Sequence, residues 1–88
     1  MDLTLVAKLL YQNKLDKGYN TSDIEQEMCN IAGEVLEAAI AYRTGDGTVG
    51  EELADIILYT LGLAELLGVD AEAEVARKLG IVLDRPKQ

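Results

Sequence analysis

Two pairs of acidic residues in the middle of the chain have a spacing that suits metal binding. Glu34 and Glu37 are three residues apart, and so are Glu52 and Asp55. In a helix each pair would share one face, and two paired helices could bring all four carboxylates together. A bound cation would relieve the resulting repulsion, and carboxylate oxygens suit Mg²⁺, Mn²⁺ or Ca²⁺. Such spacings are also common on solvated helix faces, so an acidic surface without metal is the alternative.

The residues that the chain lacks exclude several other chemistries. There is no histidine, which removes zinc sites built on imidazole, Ser-His triads and histidine general bases. The absence of histidine also argues against a di-iron site in a helical bundle, because such sites usually need Glu-x-x-His pairs. The single cysteine, Cys29, has no histidine to activate it, so we expect a small buried residue and not a nucleophile.

Length and charge limit the partners and the compartment. The 88 residues predict one domain, 1–88, and the net charge of −8 opposes binding to a nucleic acid polymer. A single cysteine without a recognisable secretory or transit segment favours the cytoplasm. No stretch has the ~20 apolar residues that a membrane helix needs, so no membrane association is expected.

Four helices are predicted to position the acids. Capping signals and glycines place them at about residues 3–16, 22–43, 48–68 and 70–79. Ser22, Thr48 and Asp70 are the predicted N-terminal caps, and Gly80 is the predicted stop of the last helix. The expected fold is all-α, an antiparallel bundle of about four helices that is completed by oligomerisation.

The second and third helices each carry an apolar stripe with alternating steps of four and three, and these stripes are predicted to pack together. Both helices also have a second apolar flank, represented by Leu36 and Ile40 and by Ile57 and Leu61. A helix that is apolar on two sides is buried on two sides, so we expect a homodimer or a dimer of dimers. The two stripes consist of Ile24, Met28, Ile31, Val35, Ala38 and Tyr42, and of Val49, Leu53, Ile56, Thr60, Leu63 and Leu67.

The segment Gly33-Glu-Val-Leu-Glu-Ala-Ala-Ile-Ala-Tyr-Arg43 resembles the first metal-binding helix of the MazG-like nucleotide pyrophosphohydrolases. The segment Glu51-Glu-Leu-Ala-Asp-Ile-Ile-Leu-Tyr-Thr-Leu-Gly-Leu-Ala64 is similar to their second. Gly68-Val-Asp70, with Lys78 and Arg85-Pro86 after it, resembles the closing segment, and the resemblance covers about 24–86. It implies magnesium-dependent hydrolysis of nucleoside triphosphates to the monophosphate and pyrophosphate. It also implies that Glu34, Glu37, Glu52 and Asp55 are the metal ligands.

Further residues receive roles within this interpretation. Glu37 is the candidate general base for the attacking water. Lys78 and Arg85 are candidate phosphate-binding residues, and Tyr59 lies on the acidic side of the third helix, where it could contact a nucleotide. Solvated cations and a tyrosine at the edge of the core are the alternatives. Any aromatic contact to a base must come from one of the four tyrosines, Tyr11, Tyr19, Tyr42 and Tyr59.

Two other functions stay open at this point. Val82 replaces an asparagine that is frequent in the family, and Gly62 replaces an acidic residue. These departures motivate a metal-dependent nucleotide-binding protein without turnover. A helical dimerisation module with solvated acids is the other alternative. The sequence leaves open the base, the sugar, and whether the nucleotide is ordinary or damaged.

Overall fold

A computed structural model describes residues 1–86 of the chain. These residues form four helices and no strand: α1 (Leu3–Lys17), α2 (Ile24–Thr44), α3 (Val49–Leu66) and α4 (Ala71–Asp84). The all-α prediction is therefore confirmed. None of the helices in the described part is long and apolar enough to cross a membrane.

Aspartates begin three of the four helices. The side chains of Asp2, Asp23 and Asp70 each accept a hydrogen bond from a backbone N–H in the first turn of α1, α2 and α4. The predicted cap of α2, Ser22, is thus wrong by one residue. Asn20 organises the preceding loop, because its side-chain oxygen accepts from the N–H groups of Ser22 and Asp23.

The end of α4 also differs from the prediction. Gly80 lies inside the helix, which continues to Asp84. Left-handed glycines do terminate α1 at Gly18 and α2 at Gly45, with φ of 69° and 66°. Gly80 is not among the residues with positive φ, so it adopts no such conformation and the helical hydrogen bonds run past it.

Helix α3 is the centre of the fold. It packs against α2, α1 and α4, whereas α2 does not pack against α1 or α4 in the described residues. The short loop 45–48 reverses the chain, so α2 and α3 run antiparallel. Helix α4 contacts α1 and α3, and Glu72 accepts hydrogen bonds from Leu3 and Thr4. All residues after Ala71 that the structure describes are nevertheless exposed.

The seam between α2 and α3 is rotated relative to the predicted stripes. Ala38 and Leu63 are buried as predicted, but Met28, Val35 and Leu53 are exposed. The positions that turn inward on α2 include Glu27 and Ala41 instead. A seam through small alanines lets the two backbones approach, and it carries the acidic face of each helix toward the other.

The second apolar flanks are only partly covered. Leu61, predicted to face outward, is buried within the single chain, while Leu36, Ile40 and Ile57 are more than half exposed. Cys29, predicted to be buried, is exposed as well. The bundle therefore leaves a large apolar area of α2 and α3 uncovered in one chain. Whether a second copy covers it stays a prediction.

Candidate metal centre

Three of the four predicted metal ligands come together at the seam between α2 and α3. Carboxylate oxygens of Glu34, Glu37 and Glu52 all lie within 4.8 Å of one another. The antiparallel hairpin produces this arrangement, because it sets the middle of α2 beside the first two turns of α3. The rotation of the seam described above is what brings Glu34 and Glu52 to face each other.

The two glutamates at the centre of this group have unsatisfied oxygens. One carboxylate oxygen of Glu34 and one of Glu52, Oε2 in each, are buried and have no hydrogen-bond partner. Buried polar atoms are nearly always paired in folded proteins, so two unpaired acceptors side by side mark a candidate ligand site. A cation is the natural partner for two carboxylate oxygens that lack donors.

The electrostatics of the group point the same way. Burial, together with the neighbouring carboxylates of Glu37, Asp55 and Glu52, raises the pKa of Glu34 above its ordinary value. Burial and the carboxylates of Glu37, Asp55 and Asp46 likewise raise the pKa of Glu52. Neither of the two ion pairs found among residues 1–86 involves any of the four predicted ligands. The group is thus an uncompensated concentration of negative charge.

Asp55, the fourth predicted ligand, lies at the edge of this group. Its charge acts on both Glu34 and Glu52, but it is not one of the three residues within 4.8 Å of one another. Its side chain lines a neighbouring cleft between α1 and α3. Asp55 therefore connects the carboxylates with that cleft.

The donor set fits a hard divalent cation. Three carboxylates with Asp55 nearby offer only oxygen ligands, which suits Mg²⁺ or Mn²⁺ and not a metal that prefers sulfur or imidazole. Glu37 is exposed, so the group is open to solvent on one side. A cation there would keep positions for water or for oxygens of a substrate.

A further acid that the sequence reasoning missed lies beside Glu37 and Glu52. Asp46 lines a small cleft of about 210 Å³ together with these two residues and Thr48. The hydroxyl and the backbone N–H of Thr48 donate to Asp46 at 2.7 and 2.9 Å, and these hydrogen bonds lower the pKa of Asp46. In the sequence, the run Gly45-Asp46-Gly47 indicates only the end of a helix. No motif around Asp46 predicted a role for its carboxylate.

Glu27 has a structural partner and is not solvated. Its side chain is buried, with 2% of the residue exposed, and Lys14 donates to it at 2.6 Å. Asn20 donates to the same Glu27 oxygen at 3.3 Å. The two charges are paired and largely shielded from solvent, because the side chain of Lys14 reaches from the end of α1 to Glu27 at the beginning of α2. Glu27 is therefore a structural residue, separate from the group of Glu34, Glu37 and Glu52.

The cleft between α1 and α3 has a volume of about 220 Å³ and adjoins the carboxylates through Asp55. It contains Tyr59, which the sequence reasoning selected, and Tyr19, one of the four aromatic candidates. Asn13, which no motif indicated, also lines it. The remaining lining residues are Leu10, Lys14, Leu58 and Gly62.

The predicted phosphate-binding residues do not join the carboxylates within one chain. Lys78 lies on α4 and Arg85 directly follows it, and both are exposed. Because α4 does not pack against α2 in the described residues, it does not bring these cations to Glu34 or Glu37. Their role in substrate binding stays a prediction.

Comparison with known proteins gives one match. The model of the MazG-like family matches residues 21–86, which is three quarters of the chain and includes all four predicted ligands. No curated protein and no solved structure matches this chain.

Proposed function

Because this chain belongs to the MazG-like family, we propose that it is a nucleoside triphosphate pyrophosphohydrolase that depends on a divalent cation, Mg²⁺ or Mn²⁺. Water attacks the α-phosphorus, the bond from this phosphorus to the α–β bridging oxygen breaks, and the products are the nucleoside monophosphate and pyrophosphate. The substrate is a ribo- or deoxyribonucleoside triphosphate.

One observation carries the proposal. Glu34, Glu37 and Glu52 approach one another within 4.8 Å, and two of their oxygens are buried without a partner. An acidic surface that served only solubility would keep its carboxylates apart and hydrated. Here two helices bring three carboxylates together in spite of their mutual repulsion, which is the arrangement that a cation site requires.

The proposed reaction assigns separate roles to metal-binding residues and to a general base. Glu34, Glu37, Glu52 and Asp55 would hold the cation, which when bound neutralises the phosphate charge and the charge that develops on the leaving pyrophosphate. Glu37 is the candidate base, since it is the exposed member of the close group and is open to a solvent molecule. No nucleophilic side chain is needed when water attacks directly.

Assembly belongs to the same proposal. The exposed apolar side chains of Leu36, Ile40 and Ile57 support a homodimer, or a dimer of dimers, in which a second copy covers this face. Lys78 and Arg85, which one chain leaves distant from its own carboxylates, could then reach the phosphates bound by another. Tyr59 needs no partner, because it lies beside Asp55 in the same chain.

The test is an assay of the products. Purified protein is incubated with ribo- and deoxyribonucleoside triphosphates and Mg²⁺, and pyrophosphate and orthophosphate are measured separately. We expect pyrophosphate and the monophosphate in equal amounts, no orthophosphate, and no reaction with a chelator present. Release of orthophosphate would contradict cleavage between the α and β phosphates.

Binding measurements identify the alternatives. Mg²⁺ should raise the melting temperature, because it binds only the folded arrangement of carboxylates. Binding of metal and nucleotide without any turnover would identify a nucleotide-binding protein instead. Absence of any stabilisation by Mg²⁺ or Mn²⁺ would leave a helical dimerisation module and overturn the metal centre.

A further inference from the structure

We propose that the buried ion pair between Lys14 and Glu27 fixes the rotation of α2 about its own axis, and that it thereby points Glu34 toward α3 as a metal ligand. Lys14 and Glu27 are thus positioning residues of the metal centre, and neither is itself a ligand. This inference rests on the proposed function for the role of Glu34. Its evidence lies two turns earlier in α2, where the side chain of Lys14 arrives from α1.

Helix α2 has two faces that could turn toward α3. One carries Met28 and Val35, which belong to the apolar stripe that the sequence predicts for the seam. The other carries Glu27 and Glu34. Because successive residues of a helix are about 100° apart, the two faces differ by this angle in the rotation of α2. Residues seven apart stay within about 20° of the same direction, so Glu27 and Glu34 turn inward together.

Hydrophobic burial alone favours the apolar face. Turning Met28 and Val35 inward would remove two large apolar side chains from water and leave the carboxylates hydrated. The structure has the opposite arrangement, because Met28 and Val35 are each 51% exposed while Glu27 is 2% exposed. Within one chain, a specific interaction has to outweigh this loss of apolar burial.

The pair of Lys14 and Glu27 is that interaction. Lys14 Nζ donates to Glu27 Oε1 at 2.6 Å, and the two side chains are only 16% and 3% exposed. Asn20 donates to the same oxygen at 3.3 Å. A buried carboxylate without its cation is strongly destabilising, so the pair holds Glu27 on the inward side. Single buried polar groups fix the register of packed helices in coiled coils in the same way.

Lys14 relates α2 to α3 and not only to α1. Helix α1 packs against α3, whereas α1 and α2 do not pack against each other in the described residues. The Lys14 side chain passes beside Gly62 of α3, since a Cβ built on this glycine would lie 3.8 Å from Lys14 Cε. The lysine therefore reaches Glu27 from a fixed position next to α3. This position determines which face of α2 meets α3.

The helix carries the effect from the ion pair to the metal centre. With Glu27 held inward, Glu34 also turns inward two turns later. There its Oε2 is buried without a partner, and its carboxylate lies within 4.8 Å of those of Glu37 and Glu52. With the apolar face inward, Glu34 would be rotated by about 100° away from this group.

The first experiment compares Mn²⁺ binding by the parent and by Lys14→Met, with calorimetry at a temperature where circular dichroism shows both to be folded. Lys14→Met should bind Mn²⁺ about tenfold more weakly, because the unpaired Glu27 turns toward water and takes Glu34 with it. Electrostatics alone predicts the opposite sign, since loss of a nearby cation strengthens the binding of another cation. Lys17→Met, which removes an exposed cation in the last turn of α1, is the matched control and should bind like the parent.

The second experiment restores the rotation without restoring the charges. Adding Glu27→Leu to Lys14→Met places an apolar side chain on the inward face, so α2 should return to its parental rotation and most of the lost Mn²⁺ affinity should be recovered. Electrostatics again predicts the opposite, because an acid is removed. NMR follows the rotation directly: the methyl groups of Ala38 and Ala41 should contact α3 in the parent and in the double variant, and Met28 should replace them in Lys14→Met.

Two results overturn the inference: parental Mn²⁺ affinity of folded Lys14→Met, or no recovery of affinity in the double variant. If Lys14→Met does not fold, Lys14→Gln takes its place with a smaller loss expected, because glutamine keeps a donor for Glu27. A parent that binds no Mn²⁺ refutes the proposed metal centre, and the NMR contacts then decide alone. Contacts of Ala38 and Ala41 with α3 that persist in the lysine variant contradict the inference, and their loss supports it.

Discussion

Glu34 and Glu52 each hold one buried oxygen without a donor, next to other carboxylates. In the metal-free protein this arrangement is destabilising, because burial and mutual repulsion disfavour the charged forms and neither ion pair among residues 1–86 involves these carboxylates. The arrangement does not serve the stability of the fold, which supports the proposed cation site. Two predictions follow at the scale of single residues.

Replacing Glu37 by Gln or Asp55 by Asn should abolish hydrolysis and leave the fold intact. The amide keeps the size of the side chain but removes a charge that the cation requires. We expect activity to fall at least about 100-fold, since even loss of an outer partner of a metal site costs 10–100-fold. Pyrophosphate release, Mn²⁺ binding and circular dichroism together check this.

Glu65→Gln is the control for both variants. Glu65 lies on the same helix but lines a different cleft, with Thr4 and Lys8. The Glu65→Gln variant should hydrolyse nucleotides at the rate of the parent. If Glu37→Gln and Asp55→Asn both kept the turnover of the parent, the assignment of the metal ligands would be wrong.

The pH dependence of stability should reveal the carboxylate group. Burial and nearby charges raise the pKa of Glu34 and of Glu52 in the folded state above the ordinary 4.5. Between the pKa of each group in the unfolded chain and its higher pKa in the folded protein, the folded protein binds more protons than the unfolded chain. The free energy of unfolding therefore falls as pH rises through this interval. The stability in question is fully present below the pKa of the unfolded chain, where both carboxyl groups are protonated in the folded and the unfolded state.

Thermal melts of the metal-free protein between about pH 4.5 and neutrality measure this effect. The parent should lose melting temperature with rising pH relative to the double variant Glu34→Gln/Glu52→Gln, which lacks both groups. With Mg²⁺ the trend of the parent should reverse, because metal ligands must be deprotonated. Parallel curves for the metal-free parent and the double variant would exclude coupling of these carboxylates to folding.

At the scale of elements, α1 is joined to α2 by side chains and not by helix packing. Lys14 near the end of α1 donates to Glu27 in the first turn of α2, and Asn20 from the intervening loop donates to the same oxygen. Asn20 also donates to the carbonyl of Asp23, the cap of α2. This small network connects the end of α1, where Lys14 lines the cleft beside Asp55, to the beginning of α2.

Breaking this ion pair on one side should destabilise the protein strongly. Lys14→Met leaves the Glu27 carboxylate buried without its cation, which costs about 3–5 kcal/mol. For a domain of this size we expect the melting temperature to fall by more than about 10 °C. Differential scanning calorimetry measures the change.

Two variants test the cause. Lys14→Met/Glu27→Leu replaces both charges by apolar groups and should recover most of the loss, as buried pairs usually do. Arg77→Met breaks the exposed pair with Glu74 and should change stability by less than about 1 kcal/mol. Equal effects of Lys14→Met and Arg77→Met would show that burial of the Lys14–Glu27 pair is unimportant.

At the scale of the whole molecule, one chain buries little apolar surface. Among residues 1–86 the buried apolar residues are few, and most of them are alanines: Ala7, Ala38, Ala41, Leu61 and Leu63. Large apolar side chains along the outer face of α2 and α3 are exposed, as are those of α4. A domain of this length is marginal even when its core is complete, so self-association is the expected source of further stability.

Charges placed on the outer face should convert the assembly to a monomer. We expect the parent to be a dimer or tetramer at micromolar concentration, and Ile40→Glu/Ile57→Glu to be a monomer with a lower melting temperature. Leu9→Glu, at an equally exposed position on α1, is the control and should assemble like the parent. Multi-angle light scattering measures the molar mass of each variant in solution. A monomeric parent would contradict the prediction.

The local features of the fold were predictable from the sequence. Helix boundaries follow from caps and glycines within a few residues, so the four helices and their order were predicted. The errors are local, because Asp23 and not Ser22 caps α2, the side chain of Thr48 makes no capping hydrogen bond to α3, and Gly80 does not end α4. The paired acids and the MazG-like resemblance were visible because they are short motifs on single helices. The family match over residues 21–86 confirms that resemblance.

Only the tertiary structure determined which faces of the helices meet. The hydrophobic periodicity predicted that an apolar stripe on each helix forms the seam between α2 and α3. In the structure the hairpin packs through Ala38 and Ala41 and turns Glu34 and Glu52 inward. The burial of Glu27 by Lys14, and the presence of Asn13 beside Asp55, also depend on where α1 lies on α3. These relations join residues that are distant in sequence. They depend on the rotation and offset of packed helices, which the sum of many side-chain contacts sets and no local spacing encodes.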